Sequence, residues 1–387
     1  MTAARRVSLP TVAREWTRIG ITGFGGPPAH IALLRELVVT RRAWMDPRAF
    51  EDANAACGLL PGPASTQMAI YCAYRAGGAA GAVVGGVGFI APAVIVILAL
   101  SAVVLGHAPP LWVRGAGAGA GAAVGAVALH AARGLLGPSL ERARERRGVA
   151  PWTAYLVAAA AAAVLIGPYL VLVLLACGLV ELVRRRPAGG FGNLGSGAGS
   201  VALIPATVAL GGFGALAWTA LKVGALSFGG GFVIIPLMQG DAVTVNHWMT
   251  NAQFLNAVAL GQITPGPVVA TVAAVGYAAH GLAGGVMAAA IAFAPSFAFV
   301  LLAGRRFDGL RELPAPRAFL DGAGPAAIGA IGGAAITLAL ALSDAWQLAV
   351  LAAAIVALIG MRRSVVATLV GAAVIGVALA LLGAPVP

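Results

Sequence analysis

Long apolar runs, separated by short arginine clusters and by strings of glycine and proline, set the rhythm of this chain. Apolar stretches extend from Ala79 to Leu105, Gly115 to Leu136, Pro151 to Ile166, Pro168 to Val183, Val201 to Leu221, Gly281 to Ala303 and Ala345 to Gly360. About 20 largely apolar residues suffice for a helix to cross the hydrocarbon core of a bilayer. The pattern therefore predicts an all-α polytopic membrane protein with about nine to twelve crossings, a range left open because some segments are expected to dip in and return.

Composition supports that reading. Of 387 residues, 60% are hydrophobic and 10% charged, and the mean hydropathy is +0.93, well outside soluble usage. No secretory signal is expected at the N-terminus, where Arg5, Arg6 and Arg14 are interrupted by Pro10 and Glu15. The net charge of +12 does not point to nucleic acid, because the arginines cluster between apolar spans, where a basic excess marks the cytoplasmic side. Cys57, Cys72 and Cys177 are scattered in apolar stretches, and His30, His107, His130, His247 and His280 lack metal-ligand spacing. No metal or cofactor is expected.

Residues 20 to 67 match residues 224 to 271 without a gap, at a constant offset of 204 (224 − 20). Gly20/Gly224, Phe24/Phe228, Gly25/Gly229, Gly26/Gly230, Trp44/Trp248, Met45/Met249 and Phe50/Phe254 are identical, as are Pro61-Gly62-Pro63 and Pro265-Gly266-Pro267. Equivalent loops carry their basic residues in one copy only. Residues 35 to 52 hold Arg35, Arg41, Arg42 and Arg48, against none in 239 to 256. Residues 101 to 114 hold only Arg114, against Arg305, Arg306, Arg311 and Arg317 in 305 to 318. Residues 133 to 147 hold Arg133, Arg142, Arg144, Arg146 and Arg147, against none in 337 to 351. Positive charge marks the cytoplasmic face, so corresponding loops are expected on opposite faces and the repeats are expected to be inverted. The division is residues 1–186, a first repeat ending at Arg184, Arg185 and Arg186; 187–200, a Gly/Ser-rich cytoplasmic linker; and 201–387, an inverted second repeat. Val201 to Leu221 would supply the extra crossing. Inverted repeats recur in transporters, where one bundle rocks against the other.

Two motifs carry candidate chemistry. The first is Gly23-Phe24-Gly25-Gly26-Pro27-Pro28 in one half and Phe228-Gly229-Gly230-Gly231 with Pro236 in the other. Glycine and proline weaken a helix by about 1 and 3 kcal/mol each, so broken or re-entrant helices are expected here. Irregular backbone at membrane depth is tolerated only where it is buried in protein or lines a watery cavity. The second motif is Pro61-Gly62-Pro63-Ala64-Ser65-Thr66-Gln67, matched by Gln262-Ile263-Thr264-Pro265-Gly266-Pro267. Pro63 and Pro267 suit the first position of a new helix, whose free amides and dipole would favour an anion. Ser65, Thr66, Gln67, Gln262, Thr264 and Thr271 could add hydrogen bonds. Glycine and proline also serve membrane helices for kinks and close packing alone, but four motif copies in register point to a paired binding site.

Arg18 and Lys222 occupy equivalent positions, and Lys222 is the only lysine. A lone cation within a span needs a partner or a wet cavity, so the two are candidates to face a dianion from both halves; the alternative is snorkelling to an interface. His30 is a candidate for binding or proton transfer, the plainer role being packing. Asp52 reads as a solvated loop residue, and Glu36, Asp241 and Glu181 as interfacial.

The Phe24-Gly25-Gly26-Pro27-Pro28-Ala29-His30, Phe228-Gly229-Gly230-Gly231, Leu60-Pro61-Gly62-Pro63 and Thr264-Pro265-Gly266-Pro267 strings, as a set, resemble the chromate ion transporter family. The resemblance runs over nearly the whole chain. It implies duplicated, oppositely oriented halves in a multi-pass protein of the bacterial inner membrane. It also implies export of chromate from the cytoplasm at the expense of the proton gradient, giving chromate resistance. Chromate is a tetrahedral dianion of sulfate's shape, so a sulfate or other oxyanion importer and a passive anion channel stand as alternatives. An enzyme acting on a lipid phosphate would need clustered His, Asp or Cys near the glycine turns, and no covalent chemistry is expected. A homodimer is left open.

Overall fold

The computed structural model describes residues 7–58, 60, 62–106, 109–146, 148–185, 212–227, 231–303 and 314–386. The linker 187–200 and most of the run from Val201 to Leu221 lie outside the described residues, as do Pro61, Phe228, Gly229, Gly230, Arg147, Arg186, Arg305, Arg306 and Arg311. Among the described residues the chain is helical, with no strand. The first half contains α1 (Leu9–Thr22), α2 (Pro27–Arg35), α3 (Pro47–Cys57), α4 (Ala64–Val104), α5 (Leu111–Glu145), α6 (Val149–Leu165) and α7 (Leu170–Arg184). The second contains α8 (Phe213–Leu226), α9 (Ile234–Gln239), α10 (Asn251–Ile263), α11 (Val272–Ala303), α12 (Pro314–Leu340), α13 (Ala345–Ile355) and α14 (Val365–Leu381).

Local sequence explains most of the ends. Pro10 and Pro27 sit in first turns, where a missing amide proton costs nothing. Asp46 accepts from Arg48 N–H at 2.8 Å to cap α3, and Thr250 with Gln253 forms a reciprocal cap on α10. Each half repeats the same irregularities at the 204 offset. A π-helical turn spans Glu36–Arg41 and another spans Gly240–Val245, and each is followed by a left-handed residue, Ala43 (φ 48°) or His247 (φ 52°).

Among the described residues, four helices are long and apolar enough to cross a membrane: Ala64–Val104, Leu111–Glu145, Val268–Leu302 and Pro314–Leu340. Two of them are folded back on themselves. In α4 the fold lies at Gly78 (φ 70°, ψ −160°), and in α11 at His280 and Gly281 (φ 61°, ψ −153°). A Cβ on Gly85 would stand 2.4 Å from Ala73 Cβ, although residues 73 and 85 of a straight helix lie about 18 Å apart. The expected spans Ala79 to Leu105 and Gly281 to Ala303 are therefore the second arms of hairpins. The first arm of α4, residues 64–77, rises about 20 Å at about 1.5 Å per residue, so it begins well inside an apolar layer about 30 Å thick.

These hairpins form the centre, with α4 packed on α11, α1 on α4 and α8 on α11. Trp16 of α1 is fully buried, stacks on Trp44 and donates Nε1–H to Ala69 O at 2.7 Å. Around this centre the halves exchange partners. Helix α5 packs on α13 and α14, and α12 packs on α6 and α7. The seams are close backbone approaches, the mode of association available where lipid removes the usual hydrophobic drive. A Cβ on Gly119 would meet Ala372 O at 2.1 Å. A Cβ on Gly224 would meet Ala292 O at 2.0 Å, and one on its counterpart Gly20 would meet Phe89 O at 2.6 Å.

Overpacking of such a contact costs about 1–3 kcal/mol, because the opposing atoms are backbone and cannot turn aside. Gly224→Ala is expected to lower the melting temperature of the purified protein in detergent. Gly371→Ala, where an added Cβ meets nothing within 4 Å, is expected to leave it unchanged in the same thermal melt.

Candidate functional site

The expected breaks are present. Helix α1 stops at Gly23 and α2 starts at Pro27, with Gly25 (φ 102°) and Gly26 (φ 71°) making the reversal between them. His30 of α2 is completely buried against this turn. Its Nε2 lies 3.0 Å from Gly23 O and its Nδ1 3.4 Å from Ser65 Oγ, and the ring sits edge-on to Phe89. In the second half the corresponding break follows α8, and Gly231 (φ 88°) packs against Val268. Gly229 and Gly230 are outside the described residues.

Both Pro-Gly-Pro segments turn through a left-handed glycine, Gly62 at φ 113° and Gly266 at φ 105°. Pro63 and Pro267 do not take the first helical position expected of them. Each keeps an extended ψ, 101° and 129°, and acts as the cap. Pro63 O accepts from both Thr66 N–H and Gln67 N–H at 3.0 Å, so the ladder starts at that carbonyl and the helix proper at Ala64. The amides of Ala64 and Ser65 precede the ladder. The second-half equivalent opens with a 3-10 turn over Val268–Thr271 before α11.

Gly62 and Pro63, like Gly266 and Pro267, are buried, and each glycine lies against the other half. Gly62 lies beside Gly224 O and Ser296 Oγ, which are 3.1 and 3.6 Å from where its Cβ would be. Gly266 lies beside Ala93 and Gly20 O, and its N–H donates to Gly23 O at 3.1 Å. Ser65, Thr66 and Gln67 are all buried. Thr264 and Thr271 bond their own backbone, to Leu260 O and Val268 O, each at 2.7 Å. Among the described residues, Thr66 Oγ1, Ser227 Oγ, Gln262 Nε2 and Ser296 Oγ are buried without a hydrogen-bond partner.

A cavity of about 650 Å³ leads to the first of these segments. Its inner end is lined by Leu60, Gly62 and Ala64; its mouth carries Arg142, Arg146, Arg185 and Arg317. Four guanidinium groups face two carboxylates there. Asp321 bridges Arg146 and Arg185, the latter at 2.9 Å. Glu181 holds Arg185 Nε at 2.6 Å and accepts from Tyr155 OH at 3.0 Å. Glu181 is 2% exposed and paired inside this network. Sequence reading took these arginines as topology markers only. Their convergence depends on α5, α7 and α12 meeting, which no local pattern announces.

Arg18 and Lys222 differ in their surroundings. Arg18 is exposed, beside a cavity of about 440 Å³ that it lines with Arg14, Glu15, Arg41 and Arg42. Lys222 is 6% exposed and its Nζ lies 2.5 Å from Asp241 Oδ2, which also accepts from Thr219 Oγ1 at 2.7 Å. Asp241 is thus buried and paired, whereas Glu36 is exposed. In the first half the same two elements are tied with reversed polarity. Glu15 of α1 takes Arg41 at 2.6 Å and Arg42 at 2.7 Å from the π-helical turn and the residue after it.

Among the described residues no group of His, Cys, Asp and Glu is placed to hold a metal ion. The family model described as chromate transporter matches two segments of the chain, residues 11–182 and 214–377. A chromate transport protein of Cupriavidus metallidurans is 35% identical over 341 residues, covering 86% of this chain and 83% of that protein. A probable chromate transport protein of Synechococcus elongatus is 31% identical, covering 86% and 84%. A chromate transport protein of Pseudomonas aeruginosa is 30% identical, covering 86% and 82%. No solved structure matches the chain.

Removing one partner of a buried ion pair costs about 3–5 kcal/mol, whereas replacing both by apolar groups of similar volume is often neutral. Asp241→Asn is therefore expected to destabilise the protein strongly in denaturant unfolding. The Lys222→Met, Asp241→Leu double variant is expected to recover most of the loss.

Proposed function

Because this chain belongs to the chromate transporter family, we propose that it is a secondary transporter that carries chromate, or a tetrahedral oxyanion of the same charge and size, outward across the plasma membrane in exchange for protons. The observation that carries this reading is the cavity running from Arg142, Arg146, Arg185 and Arg317 to the start of α4. A guanidinium is a planar multi-donor that stays charged at any physiological pH, and it binds oxyanions well. A helix start offers free amides and the positive end of a dipole to the same ligand. Together they make a graded path for a dianion, with mobile surface charge first and fixed backbone donors at the end.

The charge pattern supports the outward direction. Arg142 and Arg146 at the end of α5, Arg184 and Arg185 at the end of α7, and Arg317 near the start of α12 all belong to one basic rim. By the positive-inside rule that rim is cytoplasmic, and the cavity would load from within. The repeated π-helical turns, hairpin folds and Pro-Gly-Pro segments support two repeats, and the alternation of basic loops supports their inversion. Rocking of the halves about the Gly62/Gly224 and Gly266/Gly20 contacts would then expose the helix start to either side in turn. Arg18 and Lys222 take unequal parts in this reading. Lys222 is committed to Asp241, while Arg18 stays accessible at the surface.

The test is uptake of radiolabelled chromate by everted membrane vesicles with an imposed pH gradient and sulfate as competitor. Concentrative uptake that an uncoupler abolishes is expected, with Arg142→Gln and Arg317→Gln reducing it several-fold at normal membrane abundance. No uptake of either oxyanion would sink the reading. Uptake that follows voltage and ignores the proton gradient would make the protein a channel.

A further inference from the structure

The two Pro-Gly-Pro niches repeat the same backbone but not the same chemistry, and this bears on how many anions the protein holds. Around Gly62 the niche is polar. Ser296 Oγ and Gln67 Nε2 lie 3.6 and 2.9 Å from the position a Gly62 Cβ would take. Ser296 is fully buried and its hydroxyl has no hydrogen-bond partner among the described residues; the same holds for Thr66 in the first turn of α4. A buried hydroxyl left in this state is uncommon, because it forgoes the hydrogen bond that offsets its desolvation. Ser296 lies beside Gly62 and Thr66 is in the first turn of α4, the helix start at which Gly62 and Ala64 line the arginine-rimmed cavity.

Around Gly266 the niche is filled and apolar. Ala93 occupies the place of Ser296 in the other half, the offset there being 203 (296 − 93), and its Cβ lies 2.8 Å from where a Gly266 Cβ would be. Val269 and Ala270 stand where Ser65 and Thr66 stand, and Thr271, in the place of Gln67, spends its hydroxyl on Val268 O. The Gly266 amide is itself committed to Gly23 O. The three atoms nearest a Gly266 Cβ, from Ala93 and Gly20, include no donor, and the unpartnered Gln262 Nε2 of this half lies four residues upstream.

We infer that the protein binds a single oxyanion, at the Gly62 niche, with Ser296 of the second half donating to an anion seated on the α4 helix start of the first. This inference rests on the oxyanion-transport reading and narrows it. The Gly266 niche is a structural counterpart that locks the halves together through Gly23. Ser296 is then a binding residue contributed across the seam, so the site is complete only when both halves are in place.

Equilibrium dialysis of the full-length protein in lipid nanodiscs against radiolabelled chromate, and separately sulfate, tests this. One bound anion per chain is expected. Ser296→Ala should weaken binding about tenfold or more, the loss of a hydrogen bond to a charged ligand. Ser296→Thr should keep most of the affinity, and Ala93→Ser should change neither affinity nor stoichiometry. Two equivalent anions per chain, or unchanged affinity in Ser296→Ala, would overturn the inference while leaving wild-type transport in everted vesicles intact. Absence of both wild-type binding and transport would instead remove the transport reading and this inference with it.

Discussion

A helix interrupted at membrane depth leaves amide and carbonyl groups that lipid cannot solvate, and this chain interrupts its helices repeatedly. The structure answers with contacts across the halves. The Gly266 amide bonds the Gly23 carbonyl, which His30 Nε2 also approaches, so one carbonyl ties the second half's Pro-Gly-Pro turn to the first half's glycine turn. Glycine is required where these backbones meet, because Gly20 and Gly224 each approach a neighbouring carbonyl too closely for any side chain. The remaining architecture is arranged to bring these few residues together. The hairpin folds at Gly78 and Gly281 return helix starts to the middle, and the outer helices clasp the result.

Charge is handled by the same economy. Each half must hold the helix before its glycine break against the π-helical turn after it, and each does so with ions on the same two elements but at different positions and with the signs reversed. Glu15 meets Arg41 and Arg42 in one half, and Lys222 meets Asp241 in the other. The first clamp reaches an exposed basic surface, and the second is sealed. A buried pair is a weak source of stability, because desolvation offsets most of its attraction. Its better use here is to fix geometry, with Thr219 of α8 donating to the same Asp241 oxygen that takes Lys222.

Much of this was legible beforehand. The Gly/Pro strings located the breaks, and the 204 offset located their counterparts. Position 222 stood out as the only lysine, although its acid was read as interfacial. Other features were hidden for definite physical reasons. Gly78 lies in an apolar run with several glycines, and nothing local distinguishes the one that turns left-handed from those that only allow close packing. Ser296 was missed because the register between the halves slips by one residue between Thr271 and Gly281, so its partner Ala93 falls off the offset. The arginine mouth is built from three helix ends far apart in sequence, and composition assigned those residues to a membrane face without assigning them to each other.

The exchange of partners between halves also sets an order of assembly. Helix α5 is made early, but its glycine face, Gly115 and Gly119, is covered by α14, which begins 220 residues (365 − 145) after α5 ends. Until α14 has been inserted, that face has only lipid against it, and the contact it awaits is separated from it by most of the polypeptide. Such a long-range closure is slow to form and is made after nearly everything else is in place. Helix α14 therefore acts as a clasp, and until it is in place the seam along α5 stays open.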